Sequence, residues 1–218
     1  MELSPAETRV LGCLIEKERT TPENYPLSLN SLIGACNQLT NREPILSLGD
    51  REVEDALDAL RQKKFATVIF GAGSRVQKYR HTLADVYNFT PQEYALLCVL
   101  LLRGPQTAGE LRQRAERMAP FAALADAENA LNAMAEGSEP LVRLLPARPG
   151  QKERRYVQLL SGEPAEFVSE PTAPTAPTIN VPTSAARIDA LESEVAALRG
   201  ELAELRASLD DLRRQLGA

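Results

Sequence analysis

The stretch RQKKFATVIFGAGSRVQKYRH, residues 61–81, decides how the rest of the chain is read. It carries Arg61, Lys63, Lys64, Arg75, Lys78 and Arg80 and no Asp or Glu, in a chain of net charge -5. Two β-prone runs, Ala66–Phe70 and Arg75–Arg80, flank the turn-forming Gly71-Ala72-Gly73-Ser74. The pattern predicts a basic β-hairpin. A weaker copy of it runs from Leu141 to Leu160.

Upstream of the hairpin the signals are helical. Ser47, with Asp50 three residues on, predicts the start of a helix that runs to about Lys63. Its core face is Val53, Ala56, Leu57 and Leu60. A helix over about Leu29–Leu39 precedes it, and the prolines at 22 and 26 mark an extended connection before that. The first helix opens at Ser4-Pro5-Ala6-Glu7, a capping box with proline at the first helical position. Val10, Leu11, Leu14 and Ile15 supply its apolar face.

The same devices recur further on. Thr90-Pro91-Gln92-Glu93 repeats Ser4-Pro5-Ala6-Glu7 86 residues later. Glu128-Asn129-Ala130-Leu131 repeats Glu54-Asp55-Ala56-Leu57 at an offset of 74, and Arg155-Tyr156 repeats Lys78-Tyr79 at 77. Three matches in one order predict a unit used twice. Thr107 with Glu110 opens the second helix of copy two, which runs to about Met118, and its third helix covers about Ala122–Glu136. Three short helices and a hairpin make the winged helix-turn-helix pattern. The fold class is therefore mainly α with small β-hairpins (α+β). Two tandem winged helix-turn-helix domains occupy residues 1–86 and 87–160.

Residues 161–186 are rich in Pro, Thr and Ala and read as a linker, which as a flexible chain spans roughly 28 Å. Residues 187–218 carry a heptad seam. Ile188, Val195, Leu202, Leu209 and Leu216 sit at a, and Leu191, Leu198, Leu205 and Leu212 at d. β-branched residues at the first two a positions with Leu at d favour a parallel dimer. The other reading is one amphipathic helix folded back on the body.

Composition bounds the function classes. Residues 1–160 hold 20 Lys and Arg against 20 Asp and Glu, so the acidity belongs to residues 161–218, with 5 against 10. No window is apolar enough for a membrane span, and the polar start is no secretory signal. Three widely spaced cysteines, Cys13, Cys36 and Cys98, fit a reducing cytoplasm. One histidine, no zinc spacing and no phosphate loop leave no cofactor, no metal site and no catalytic set; a Cys–His pair would need a third, orienting group.

Two binding readings remain. Phosphate contacts to double-stranded DNA would come from Lys63, Lys64, Arg75, Lys78 and Arg80, and from Lys152, Arg154 and Arg155 in copy two. Asn37, Gln38, Asn41 and Arg42 have base-reading chemistry. The same charges also protect a hairpin edge, and the same Asn residues shape turns. The solvent face of the third helix carries Asp55 and Asp58, and its counterpart Asp126 and Glu136, which suits docking to a protein partner better than to a phosphate-lined groove.

The motifs Glu16-Lys17, Thr20–Asn30, Ala35-Cys36-Asn37-Gln38, Asn41-Arg42-Glu43-Pro44, Lys78-Tyr79-Arg80-His81 and Leu102–Thr107 resemble the bacterial YceH-like family of uncharacterised proteins. The resemblance covers about residues 1–160; Leu39 departs from its pattern of a basic residue there. It implies tandem winged-helix domains in a bacterial cytoplasm and carries over no activity and no catalytic residue. The first expectation is a regulatory DNA-binding homodimer, whose coil would hold two half-sites about 34 Å apart. The second is a protein-interaction scaffold without direct DNA binding.

Overall fold

Ser4 Oγ accepts from the amide of Glu7 at 3.2 Å, and Glu7 Oε2 accepts from the amide of Ser4 at 2.5 Å. This reciprocal cap, worth about 1 kcal/mol, starts the helix α1, Pro5–Thr20. Thr90 and Glu93 close the same box on another helix, Pro91–Arg103, and Thr107 and Glu110 close a third on Ala108–Ala115. All three starts stand where the sequence pattern puts them. The computed structural model describes residues 2–70, 76–136, 139–146 and 153–162. These lie within one unit, Met1–Glu170.

The fold is α+β. In chain order, α1 is followed by β1 (Leu27–Ser28), α2 (Leu29–Cys36), α3 (Asp50–Gln62), β2 (Ala66–Phe70) and β3 (Gln77–His81). Then come α4 (Pro91–Arg103), α5 (Ala108–Ala115), α6 (Leu124–Ala135), β4 (Val142–Leu144) and β5 (Tyr156–Gln158). Among the described residues there are six α-helices and two small antiparallel sheets. The first sheet has the order β1-β3-β2, with Leu27 opposite Tyr79 and Val68 opposite Tyr79 on its other side. The second pairs β4 with β5, and Gln106 bridges to Tyr156 in the place β1 holds in the first. The repeat seen in the sequence is therefore a repeat of topology.

Several boundaries differ from the sequence reading. The helix expected to follow Ser47 starts at Asp50, because Glu52 Oε2 accepts from the amide of Gly49 at 2.8 Å and makes Gly49 the cap. The helix expected to reach Leu39 stops at Cys36. Asn37 turns the chain there by exchanging two hydrogen bonds with the backbone of Leu48, at 2.8 and 2.9 Å. The third strand begins at Gln77 rather than at position 75.

One hydrophobic cluster runs through both copies, from Val10, Leu14 and Leu57 to Leu97, Leu111 and Leu131. Its middle is the contact of α1 with α4. Gly12 sits there because a Cβ would come within 2.8 Å of Leu102 Cδ2 and 3.2 Å of Leu101 Cβ. The thiol of Cys98 donates to the carbonyl of Gly12 at 3.3 Å across the same contact. The two copies are closely packed at this contact.

Candidate functional site

The solvent face of α3 is acidic. Val53, Ala56, Leu57 and Leu60 are buried as the periodicity predicts, and Asp50, Glu52, Glu54, Asp55 and Asp58 are exposed. Only Arg51 and Arg61 offset these five carboxylates on the helix. Their pairs with Asp55 at 3.9 Å and Asp58 at 2.8 Å are solvent-exposed, of the kind worth about 0.3–0.5 kcal/mol. Helix α6 repeats the pattern, with Asp126, Glu128, Asn129 and Asn132 exposed and no Lys or Arg in its sequence.

Three cations expected to reach a phosphate or a base are paired within the protein. Arg42 is the clearest correction. Its side chain is fully buried, and it donates to Glu16 Oε1 at 3.2 Å and Oε2 at 2.5 Å. It also donates to the carbonyls of Ala35 and Asn41 and to Gln38 Oε1. No phosphate or base can reach it. Burial pushes the Glu16 carboxyl up, but the hydrogen bonds and charge of Arg42, with Arg117 and Lys17, outweigh this and hold it below the usual carboxylate range. Lys63 Nζ lies 2.6 Å from Glu7 Oε1 and 2.8 Å from the carbonyl of Glu2. Arg155 is drawn to Glu110 at 3.2 Å and the carbonyl of Pro105 at 3.0 Å.

The polar side chains of the same cluster shape the turn. Asn37 fixes Leu48, Gln38 accepts from Arg42, and Asn41 has a left-handed φ of 59°. Lys64, also left-handed at φ 62°, takes the position after the cap of α3 that often falls to glycine. Its side chain is exposed, as are Lys78 and Arg154, and Arg80 is half-buried. Arg75, Lys152 and the coil positions Ile188 to Leu216 lie outside the described residues.

The structure adds residues that pattern reading passed over. Arg103 Nη1 donates to Asn41 Oδ1 at 3.0 Å, and Arg117 pairs with Glu16. Arg114 donates to the buried Gln106. Burial and the neighbouring charges of Arg114 and Arg117 lower the affinity of Arg103 for its proton. Glu16, the neighbours Asn41 and Arg42, and Arg103, from three separate sequence motifs, thus meet at the seam between the copies.

These are the motifs that carry the YceH-like resemblance. Residues 3–151 match the family described as "Protein of unknown function, DUF480". The chain belongs to the DUF480 family. It is 53% identical over 195 residues to a UPF0502 protein of Geobacter sulfurreducens, covering 89% of each chain. It is 56% identical over 162 residues to one of Citrifermentans bemidjiense, covering 74% of this chain and 75% of that one. A Shewanella sp. (strain W3-18-1) relative is 44% identical over 207 residues, covering 90% and 94%.

In this DUF480 chain the thiols and the histidine are apart in their contacts. Cys36 lies against Cys13, whose hydrogen bond, with burial, pushes the Cys36 thiol up. His81 Nε2 lies 2.9 Å from Glu18 Oε2, and its ring packs beside Tyr25 and Tyr94. Among the described residues, no cluster of His, Cys, Asp and Glu is arranged to hold a metal ion, and no helix is long and apolar enough to cross a membrane.

Proposed function

We propose that this DUF480 protein is a tandem winged-helix module that docks another protein through the acidic faces of its third helices. The observation that carries the reading is the five exposed carboxylates of α3, repeated in kind on α6. In a winged helix the third helix is the usual reader, and like charges against phosphates are unfavourable. The winged-helix assignment is supported by the order helix, short strand, two helices, hairpin, with the short strand beside the returning strand of the hairpin. The seam around Glu16 and Arg42 keeps the two docking faces in fixed relation. The heptads at 187–218 join two such bodies as a parallel coiled-coil dimer, and three free thiols suit a reducing cytoplasm.

A second reading, DNA backbone binding by the first hairpin, is favoured by Lys64 and Lys78. Both are exposed and neither pairs with a carboxylate among the described residues. The two readings separate when DNA binding and partner binding are measured on the same variants. Neutralising Asp55 and Asp58 by substitution with Asn leaves duplex DNA binding unchanged if α3 faces a protein, and strengthens it if α3 lies in a groove. Loss of a purified partner's binding in that variant, with binding kept after Lys64→Ala and Lys78→Ala, supports docking. The opposite pattern refutes it.

A further inference from the structure

Between the two copies lies a cavity of about 280 Å³, walled by the start of α1, the turn at 43–46, the end of α4 and the segment after β5. Its apolar side is Leu3, Pro5, Leu46, Leu100 and Leu101. Several of its polar groups are closed among themselves. Thr8 Oγ1 lies 2.7 Å from Ser161 Oγ, and Gln158 Nε2 donates to that oxygen at 2.8 Å. Glu43, a carboxylate on the wall, is exposed and acts on the charge of Arg103. Arg9, also on the wall, is different. It is 2% exposed, and its Nη1 and Nη2 donate to the carbonyls of Cys36 and Pro44. These bonds take two of its five N–H donors. Among the described residues no carboxylate pairs with Arg9, whereas Glu16 neutralises the other buried arginine, Arg42. Burial weakens the hold of Arg9 on its proton, and the like charge of Arg42 adds to this. A buried cation without a counter-ion is costly. The repeated fold does not require it, because the equivalent position in copy two, 86 residues on, is the buried Ala95.

We propose that this cavity binds a small amphiphilic carboxylate, its head paired with Arg9 and its apolar body against Leu46, Leu100 and Leu101. A carboxylate accepts charge-assisted hydrogen bonds from a guanidinium and supplies the counter-ion that Arg9 lacks. The volume is just under the roughly 300–1,000 Å³ of pockets for drug-sized ligands, which suits a short chain such as that of octanoate. The apolar wall supplies the remaining affinity by removing that chain from water. The cavity shares no residue with the acidic faces of α3 and α6, so its occupancy does not depend on what those faces dock.

The test is isothermal titration calorimetry of the full chain with octanoate, 1-octanol and octylammonium. The unmodified chain should bind octanoate with a Kd of about 0.1–1 mM, and the alcohol and the amine at least about 10-fold more weakly. Arg9→Gln should weaken octanoate binding at least about 10-fold. Leu46→Trp narrows the cavity from a half-buried loop position that makes none of the Arg9 hydrogen bonds, and it should weaken octanoate to a similar degree. Thermal melts check that both variants fold. Should Arg9→Gln not fold, the ranking of the three ligands and Leu46→Trp decide the question. No octanoate binding by the unmodified chain, octanol or octylammonium bound as tightly as octanoate, or octanoate affinity unchanged in either folded variant overturns the proposal.

Discussion

Arg42 and Glu16 meet in the interior at 2.5 Å with neither side chain exposed to solvent. The pair joins the turn after α2 to α1, and Arg117 ties the same carboxylate to the second copy. Removing one partner of such a pair strands a buried charge. Arg42→Met should therefore cost about 3–5 kcal/mol, read by urea unfolding. A phosphate-contacting surface arginine would change stability by less than about 0.5 kcal/mol.

The same pair sets a dependence on pH. The folded Glu16 carboxyl lies below its ordinary value, so the unfolded chain binds the proton more readily. Its contribution is fully present above about pH 4.3, the unfolded value, and is lost as pH falls through the depressed folded value. Unfolding free energy measured from pH 6 down to 3 should fall less steeply in the Glu16→Gln, Arg42→Met double variant than in the unmodified chain.

Gly12 and Gly34 should respond oppositely to a side chain. At Gly12 any Cβ meets Leu101 and Leu102 across the α1–α4 contact, so Gly12→Val should destabilise by about 1–3 kcal/mol. At Gly34 nothing lies within 4 Å of the added Cβ, and the site is helical and exposed. Gly34→Ala should stabilise by about 0.5–1 kcal/mol from helix propensity alone. Thermal unfolding of the two variants checks both signs.

What was readable in the sequence was local. The boxes at Ser4, Thr90 and Thr107 are contained in four residues each, and the strand Ala66–Phe70 is bounded by its own turn, so each was found in place. Ser47 misled because Gly49 can serve as a cap once Glu52 reaches back, which leaves no cap side chain to recognise. The roles of Arg42 and Lys63 were not readable. Their partners lie 26 and 56 residues away, and a cation's partner carries no periodic signal. Arg103 and Arg117 are unreadable for the same reason: a charge near a helix end of the second copy reads as solvent-facing until the first copy is packed against it.

Dimerisation through residues 187–218 is open to direct measurement. Sedimentation equilibrium of the full chain should give a dimer. Polar residues at d positions Leu198 and Leu205 should convert it to a monomer with the body still folded. A monomer in the unmodified chain would remove the coil from the account.

The central claim is that the acidic third helices face a protein and not a nucleic acid. Anisotropy of a labelled duplex titrated with the full chain across a salt series tests it most directly. The account predicts at most weak binding at low salt. That binding should be insensitive to duplex sequence and to Asp55→Asn with Asp58→Asn, and abolished by Lys64→Ala with Lys78→Ala. Tight, sequence-dependent binding with a steep salt slope, strengthened when the α3 carboxylates are neutralised, would contradict it.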